Sequence, residues 1–134
     1  MGRDSYPQQI ALLASASRTA DPTIAPPSWD GTKIAGMDVV IDMTNVGTGS
    51  ITVSIEARAA GKISAVGAPA GWYLILASAA ITTNIVTVLT VSPSVADIAN
   101  AKAGRPLPKQ FRVRVVHNNA NAAIYSVDVN LLAA

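Results

Sequence analysis

From Phe111 to Leu131 the chain alternates apolar and polar positions in two runs. Phe111, Val113 and Val115 are spaced by Arg112, Arg114 and Val116; Tyr125, Val127, Val129 and Leu131 are spaced by Ser126, Asp128 and Asn130. A side-chain period of two marks a strand with one buried face. Between the runs lies His117-Asn118-Asn119-Ala120-Asn121, and asparagine enters the left-handed turn conformations readily. The pattern predicts an antiparallel hairpin in which Phe111 faces Val129, Val113 faces Val127 and Val115 faces Tyr125. On the other face Arg112 falls opposite Asp128, an attractive cross-strand pair. A slip of one residue would set apolar against polar throughout, so the pattern prescribes that register.

The rest of the chain divides in the same way. Met37 to Val46 reads as a strand and Gly47-Thr48-Gly49 as a turn. Ile51, Val53, Ile55 and Ala57 then alternate with Thr52, Ser54, Glu56 and Arg58, the most regular one-sided strand in the chain. Trp72 to Ser78 and Asn84 to Ser92 show little polar alternation, which predicts strands covered on both faces. Ile10 to Ser17 fits either a first strand or a helical turn. Arg18 to Gly36 holds Pro22, Pro26, Pro27 and Asp30-Gly31, the chemistry of a long loop. Trp29 within it serves as a hydrophobic lid over one end of the core or as an interface anchor, with the lid favoured. Gly61 to Gly71 is a second loop. Ser94 to Lys102 is the only helix-like segment, with Ser94 placed to cap it, Asp97 in its first turn and Lys102 in its last. The expectation is an all-β protein: an antiparallel β-sandwich or small barrel of about seven strands, with at most one short helix near residues 94–102. One domain, residues 10–134, follows a flexible arm, residues 1–9.

Composition sharpens this picture at three points. The chain is 50% hydrophobic but only 13% charged, about half the usual charged share. So few charges leave little for a fully solvated surface, which favours burial of part of it in an assembly. The net charge of +2 comes with no cluster of Lys and Arg, so nucleic acid is not an expected partner. No charge occurs between Lys62 and Asp97, and Tyr73 to Val91 is apolar enough for a membrane window. Thr82-Thr83-Asn84 interrupts it, however, and two strands joined by a turn fit better than a membrane helix. At the start of the chain Arg3, the run Ile10 to Leu13 and Ala14-Ser15-Ala16 have the outline of a signal peptide. Asp4, Pro7, Gln8 and Gln9 stand where its apolar core should begin and argue against one.

Chemistry is sparse. There is no cysteine, and the one histidine, His117, reads as a solvated turn residue without a second ligand for a metal. The acids are scattered; Asp38 and Asp42 lie about 13 Å apart along one strand, too far for paired carboxylate catalysis. Gly47-Thr48-Gly49-Ser50 lacks the lysine and the helix of a phosphate-binding loop. Arg112 and Arg114 project from one face about 7 Å apart and could grip an anion, though pairing with Asp128 and Glu56 is favoured. The expectation is therefore no enzyme, no cofactor, no metal and no small-molecule substrate.

Several short words occur in a distinctive order: Ser15-Ala-Ser-Arg-Thr-Ala20, Val39-Val-Ile-Asp-Met-Thr44, Ile55-Glu56, Tyr73-Leu-Ile-Leu-Ala-Ser-Ala-Ala-Ile81, Leu107-Pro-Lys-Gln-Phe-Arg-Val-Arg-Val-Val-His117 and Tyr125-Ser-Val127. From Ser15 onward this order resembles a family of small head-associated proteins of tailed bacteriophages. The chain departs from that pattern around Pro26-Pro27-Ser28-Trp29 and from Gly61 to Gly71. The resemblance implies a structural virion protein: a minor capsid component that decorates, or cements, the outer surface of the phage head by binding the major capsid protein. It also implies a homo-oligomer, a homotrimer on local three-fold axes, with the arm and the proline-rich loop reaching to neighbours. The interface residues on that reading are Tyr6, Arg18, Pro26, Pro27 and Trp29. The alternatives are a tail or head–tail connector component and a secreted β-sandwich that binds a ligand such as a carbohydrate. The last would need Trp29, Trp72 or Tyr73 as an exposed aromatic platform.

Overall fold

Nine strands and no helix form among the described residues, 8–24, 34–58, 71–108 and 110–133 of a computed structural model. They are β1 (Gln8–Arg18), β2 (Thr23–Ile24), β3 (Ile34–Asn45), β4 (Ile51–Arg58), β5 (Trp72–Ala77), β6 (Val86–Val91), β7 (Lys102–Ala103), β8 (Phe111–His117) and β9 (Ala123–Ala133). Two sheets result, one ordered β1-β9-β3-β6-β7 and the other β2-β8-β4-β5. Neighbours are antiparallel except for the short parallel pair β6–β7. This is the expected β-sandwich, open at its edges.

The core lies between the sheets and is made of the period-two positions. Met37, Val39, Ile41 and Met43 of β3 and Tyr125, Val127, Val129 and Leu131 of β9 are buried on one side. Ile51, Val53 and Ile55 of β4 and Phe111, Val113 and Val115 of β8 are buried on the other. Ile10 to Ser17 resolves as strand, and its Ile10, Leu12 and Leu13 pack against this core.

The expected hairpin does not form. β8 pairs with β4 and β2, whereas β9 pairs with β1 and β3, so the two strands lie in different sheets. Residues 118–122 cross between the sheets instead of joining neighbours. The physical reason is burial. In a hairpin both apolar faces point the same way and need a third element to cover them. In a crossing they point at each other and each covers the other, with the same alternation in sequence. The asparagines tie this crossing to the one after β3: Asn118 donates from Nδ2 to Ser50 Oγ (2.9 Å) and Thr52 Oγ1 (3.1 Å), and Asn119 donates to Thr48 O at 3.1 Å.

Two further expectations are corrected. Residues 94–101 form turns, not a helix, and Lys102 begins β7. Ser94 bonds Ser92, Asp97 Oδ1 accepts the Gly104 N–H at 2.6 Å, and Asn100 takes a left-handed φ of 62°. Ser92 Oγ accepts the Ser94 backbone N–H at 3.2 Å, and it and Asp97 give the backbone partners that compete with helical bonding, while Asn100 donates from Nδ2 to Ala77 O at 3.1 Å. Gly104 is needed because a Cβ there would sit 2.3 Å from the carbonyl oxygen of Val95. Nor are β5 and β6 covered on both faces: Leu74, Val86 and Val88 are 59, 55 and 45% exposed. The apolar run Tyr73 to Val91 is thus two strands of different sheets, and no described helix is long and apolar enough to cross a membrane.

Candidate interaction surfaces

Each sheet turns its second face outward. On the four-stranded sheet that face carries Arg112 and Arg114 from β8, Ser54, Glu56 and Arg58 from β4, and Trp72 and Leu74 from β5. The register sets Glu56 between Arg112 and Leu74, and Arg58 beside Trp72. Arg112 Nε donates to Glu56 Oε1 at 2.6 Å, and its guanidinium lies 4.5 Å from the centre of the Trp72 ring. Arg114 Nη1 stands 3.9 Å from Glu56 Oε2. Glu56 is only 6% exposed, so its charge is held by this partner and not by water. The expected Arg112–Asp128 pair is replaced by Arg112–Glu56, because β8 neighbours β4 and not β9. Arg58 has no ion-pair partner among the described residues.

The outer face of the five-stranded sheet is different in kind. Asp38 and Asp42 project from β3, and Asp128 from β9 stands level with Val40 between them. A column of Val86 and Val88 on β6 runs beside Asp42 and Val40. Asp38 accepts a hydrogen bond from Thr90 Oγ1 at 2.7 Å. Asp42 and Asp128 are exposed and have no ion-pair partner among the described residues. Lys102, on the edge strand β7, is level with Thr90 and Asp38. Acids that are scattered in sequence therefore gather on one sheet face. What brings Asp128 to Asp38 and Asp42 is the β9–β3 pairing, which joins strands far apart in the chain.

A third group closes one end of the sandwich. His117 is the last residue of β8, half-buried, and its Nε2 meets the hydroxyl of the fully buried Tyr125 at 2.8 Å. The His117 backbone N–H donates to Asp21 Oδ1 at 2.6 Å. His117 Nδ1 is buried without a hydrogen-bond partner. Burial lowers the His117 pKa; the Asp21 carboxylate opposes this and Arg18 adds to it. Burial likewise pushes the Tyr125 phenol up to about 12, with Arg18 acting the other way and Asp21 adding. The expectation of a solvated turn histidine is thus corrected: His117 bridges the two sheets through Tyr125.

Of the residues expected at an interface, Tyr6, Pro26, Pro27 and Trp29 lie outside the described residues. Arg18 lies within them and is engaged inside the molecule. Its Nη2 donates to Ala14 O (2.7 Å), its Nη1 donates to Tyr125 O (2.9 Å), and its guanidinium lies 5.1 Å from the Tyr125 ring centre. β1 shifts register against β9 between Ala11 and Leu13 and again between Leu13 and Ala16. A single guanidinium thus serves a carbonyl beside that bulge and ties β1 to β9.

Compared with known proteins, the chain matches no family model, no curated protein and no solved structure.

Proposed function

We propose that this protein is a structural component of a phage head, a decoration protein that binds the major capsid protein and stabilises the assembled shell. The observation that carries the proposal is the outer face of the five-stranded sheet, where exposed valines stand beside carboxylates that have no ion-pair partner among the described residues, on strands up to 12 residues long. A sheet face of that composition suits a broad protein surface: apolar area to bury and charge to set the register. The order of short words from Ser15 to Val127 points the same way, as does the low charged share of the chain. Binding only to the assembled lattice would stabilise it by mass action.

A carbohydrate-binding module is less well supported. Trp72, a candidate platform, has a ring face occupied by Arg112. The test is co-sedimentation with mature heads built of the phage's own capsid protein and stripped of accessory proteins. Saturable binding at a fixed ratio to capsid subunits is expected. Absence of binding by the folded protein would defeat the proposal.

A further inference from the structure

The two outer faces carry opposite charge, and the crossings between sheets set their positions level with one another. β3 ends at Asn45 and β4 begins at Ile51, so counting outward from that crossing sets Asp42 level with Ser54, Val40 with Glu56 and Asp38 with Arg58. The crossing from His117 to Ala123 independently gives the same level, with Asp128 over Arg112. Cross-strand partners extend the match: Val88 pairs with Val40, and Leu74 with Glu56. Arg114, the partner of Ser54, falls beside Asp42.

We propose that a second copy of this chain docks its acidic five-stranded face on the arginine face of the four-stranded sheet. A copy shifted by one sandwich thickness, about 20 Å for two layers, and turned by the roughly 30° between packed sheets brings Asp38 to Arg58, Asp128 to Arg112 and Asp42 to Arg114. The same shift lays Val88 on Leu74. Arg58 supplies donors, as does Arg114, whose Nη1 stands 3.9 Å from Glu56 Oε2, while Arg112 is held by Glu56 at 2.6 Å. Asp38 to Asp42 spans about 13 Å along β3, and Arg58 to Arg114 spans about 14 Å across β4 and β8, so the outer charges match in spacing as well as in sign. With a net charge of only +2, copies repel each other little. The contact is heterologous and joins opposed faces, so it propagates as an open stack and does not close a ring of three. It uses the face that the capsid reading also uses, so only the end copy of a stack offers that face to a capsid, and association of the purified chain alone tests the stack separately.

Sedimentation velocity of the full chain tests it. In low salt the weight-average mass is expected to rise with concentration above twice the monomer value of 13.7 kDa. In about 1 M salt, where the screening length falls to about 3 Å, it returns to monomer. Asp38→Arg and Arg58→Asp each reverse one side of a single outward pair. Each alone is expected to weaken association about tenfold or more, since like charges then meet. An equimolar mixture of the two restores stacking, because each altered face meets the other. A wild-type protein that stays monomeric in low salt, or variants that fail to rescue each other while folded, would overturn the proposal. Association indifferent to salt would do the same.

Discussion

The outer faces of the two sheets are made by the same alternation and end in opposite states. On β8–β4–β5 the central charges are spent inside the molecule: Glu56 is buried against Arg112, and Arg112 against Trp72. On β9–β3–β6 the carboxylates of Asp42 and Asp128 face water beside exposed valines. The cross-strand neighbour makes the difference. Glu56 stands opposite an arginine; Asp128 stands opposite Val40 and Asp42 opposite Ser126 and Val86. A charge on a sheet is structural where the adjoining strand answers it, and is left for a partner where it does not.

Both faces rest on one inner layer, and the largest effect belongs there. Val127, fully buried on β9, touches neither outer face. Val127→Asp places an unpaired charge in the core and is expected to cost more than about 4 kcal/mol, abolishing cooperative unfolding followed by circular dichroism. A normal melt would mean that β9 is set in the wrong register.

Arg112→Ala comes next. It leaves Glu56 buried with only Arg114, 3.9 Å away, and chemical denaturation should show a loss of about 3 kcal/mol. The double variant Arg112→Ala with Glu56→Ala should recover part of that loss, since no charge is then stranded. A single-variant loss below about 0.5 kcal/mol would erase the distinction between the faces.

The end cluster sets the pH dependence shared by both sheets. Because the folded pKa of His117 lies below 6.5, the unfolded chain takes up the proton first as pH falls, and stability drops below about pH 6.5. Tyr125 works in the opposite sense. With a folded value of about 12 against 10.0, it loses its proton first in the unfolded chain, and stability falls again as pH rises from 10 towards 12. Melting temperature against pH should therefore form a plateau between these limits. In His117→Gln the acid shoulder should flatten; a shoulder left unchanged would assign it to other groups.

The smallest effect is expected on the open face. Asp128→Ala removes an exposed carboxylate with no ion-pair partner among the described residues and should shift stability by no more than about 0.5 kcal/mol. A loss as large as that of Arg112→Ala would show that the acidic face is structural after all.

The sequence made the inner layer legible. Every apolar position of the two alternating runs, from Phe111 to Val115 and from Tyr125 to Leu131, is buried. Strand partners were not legible, because a hairpin and a crossing between sheets leave the same period of two. That single ambiguity carried Arg112 to Asp128 in the expectation and to Glu56, 56 residues away, in the fold. It also hid the acidic face, which exists only once β9 lies beside β3. The run Asn84 to Ser92 predicts valines covered on both faces, because hydrophobicity alone does not tell a strand buried on both faces from one awaiting a partner. For Ser94 to Lys102, capping residues suited to a short helix proved equally suited to a chain of turns.

Calorimetry of stripped phage heads, with and without the purified protein, tests the decoration role most directly. A ligand that binds only the assembled shell must raise the temperature of shell disruption, and must raise it further as its concentration grows. That rise is the expected result, saturating at a fixed ratio to capsid subunits. An unchanged transition in the presence of excess folded protein would contradict it.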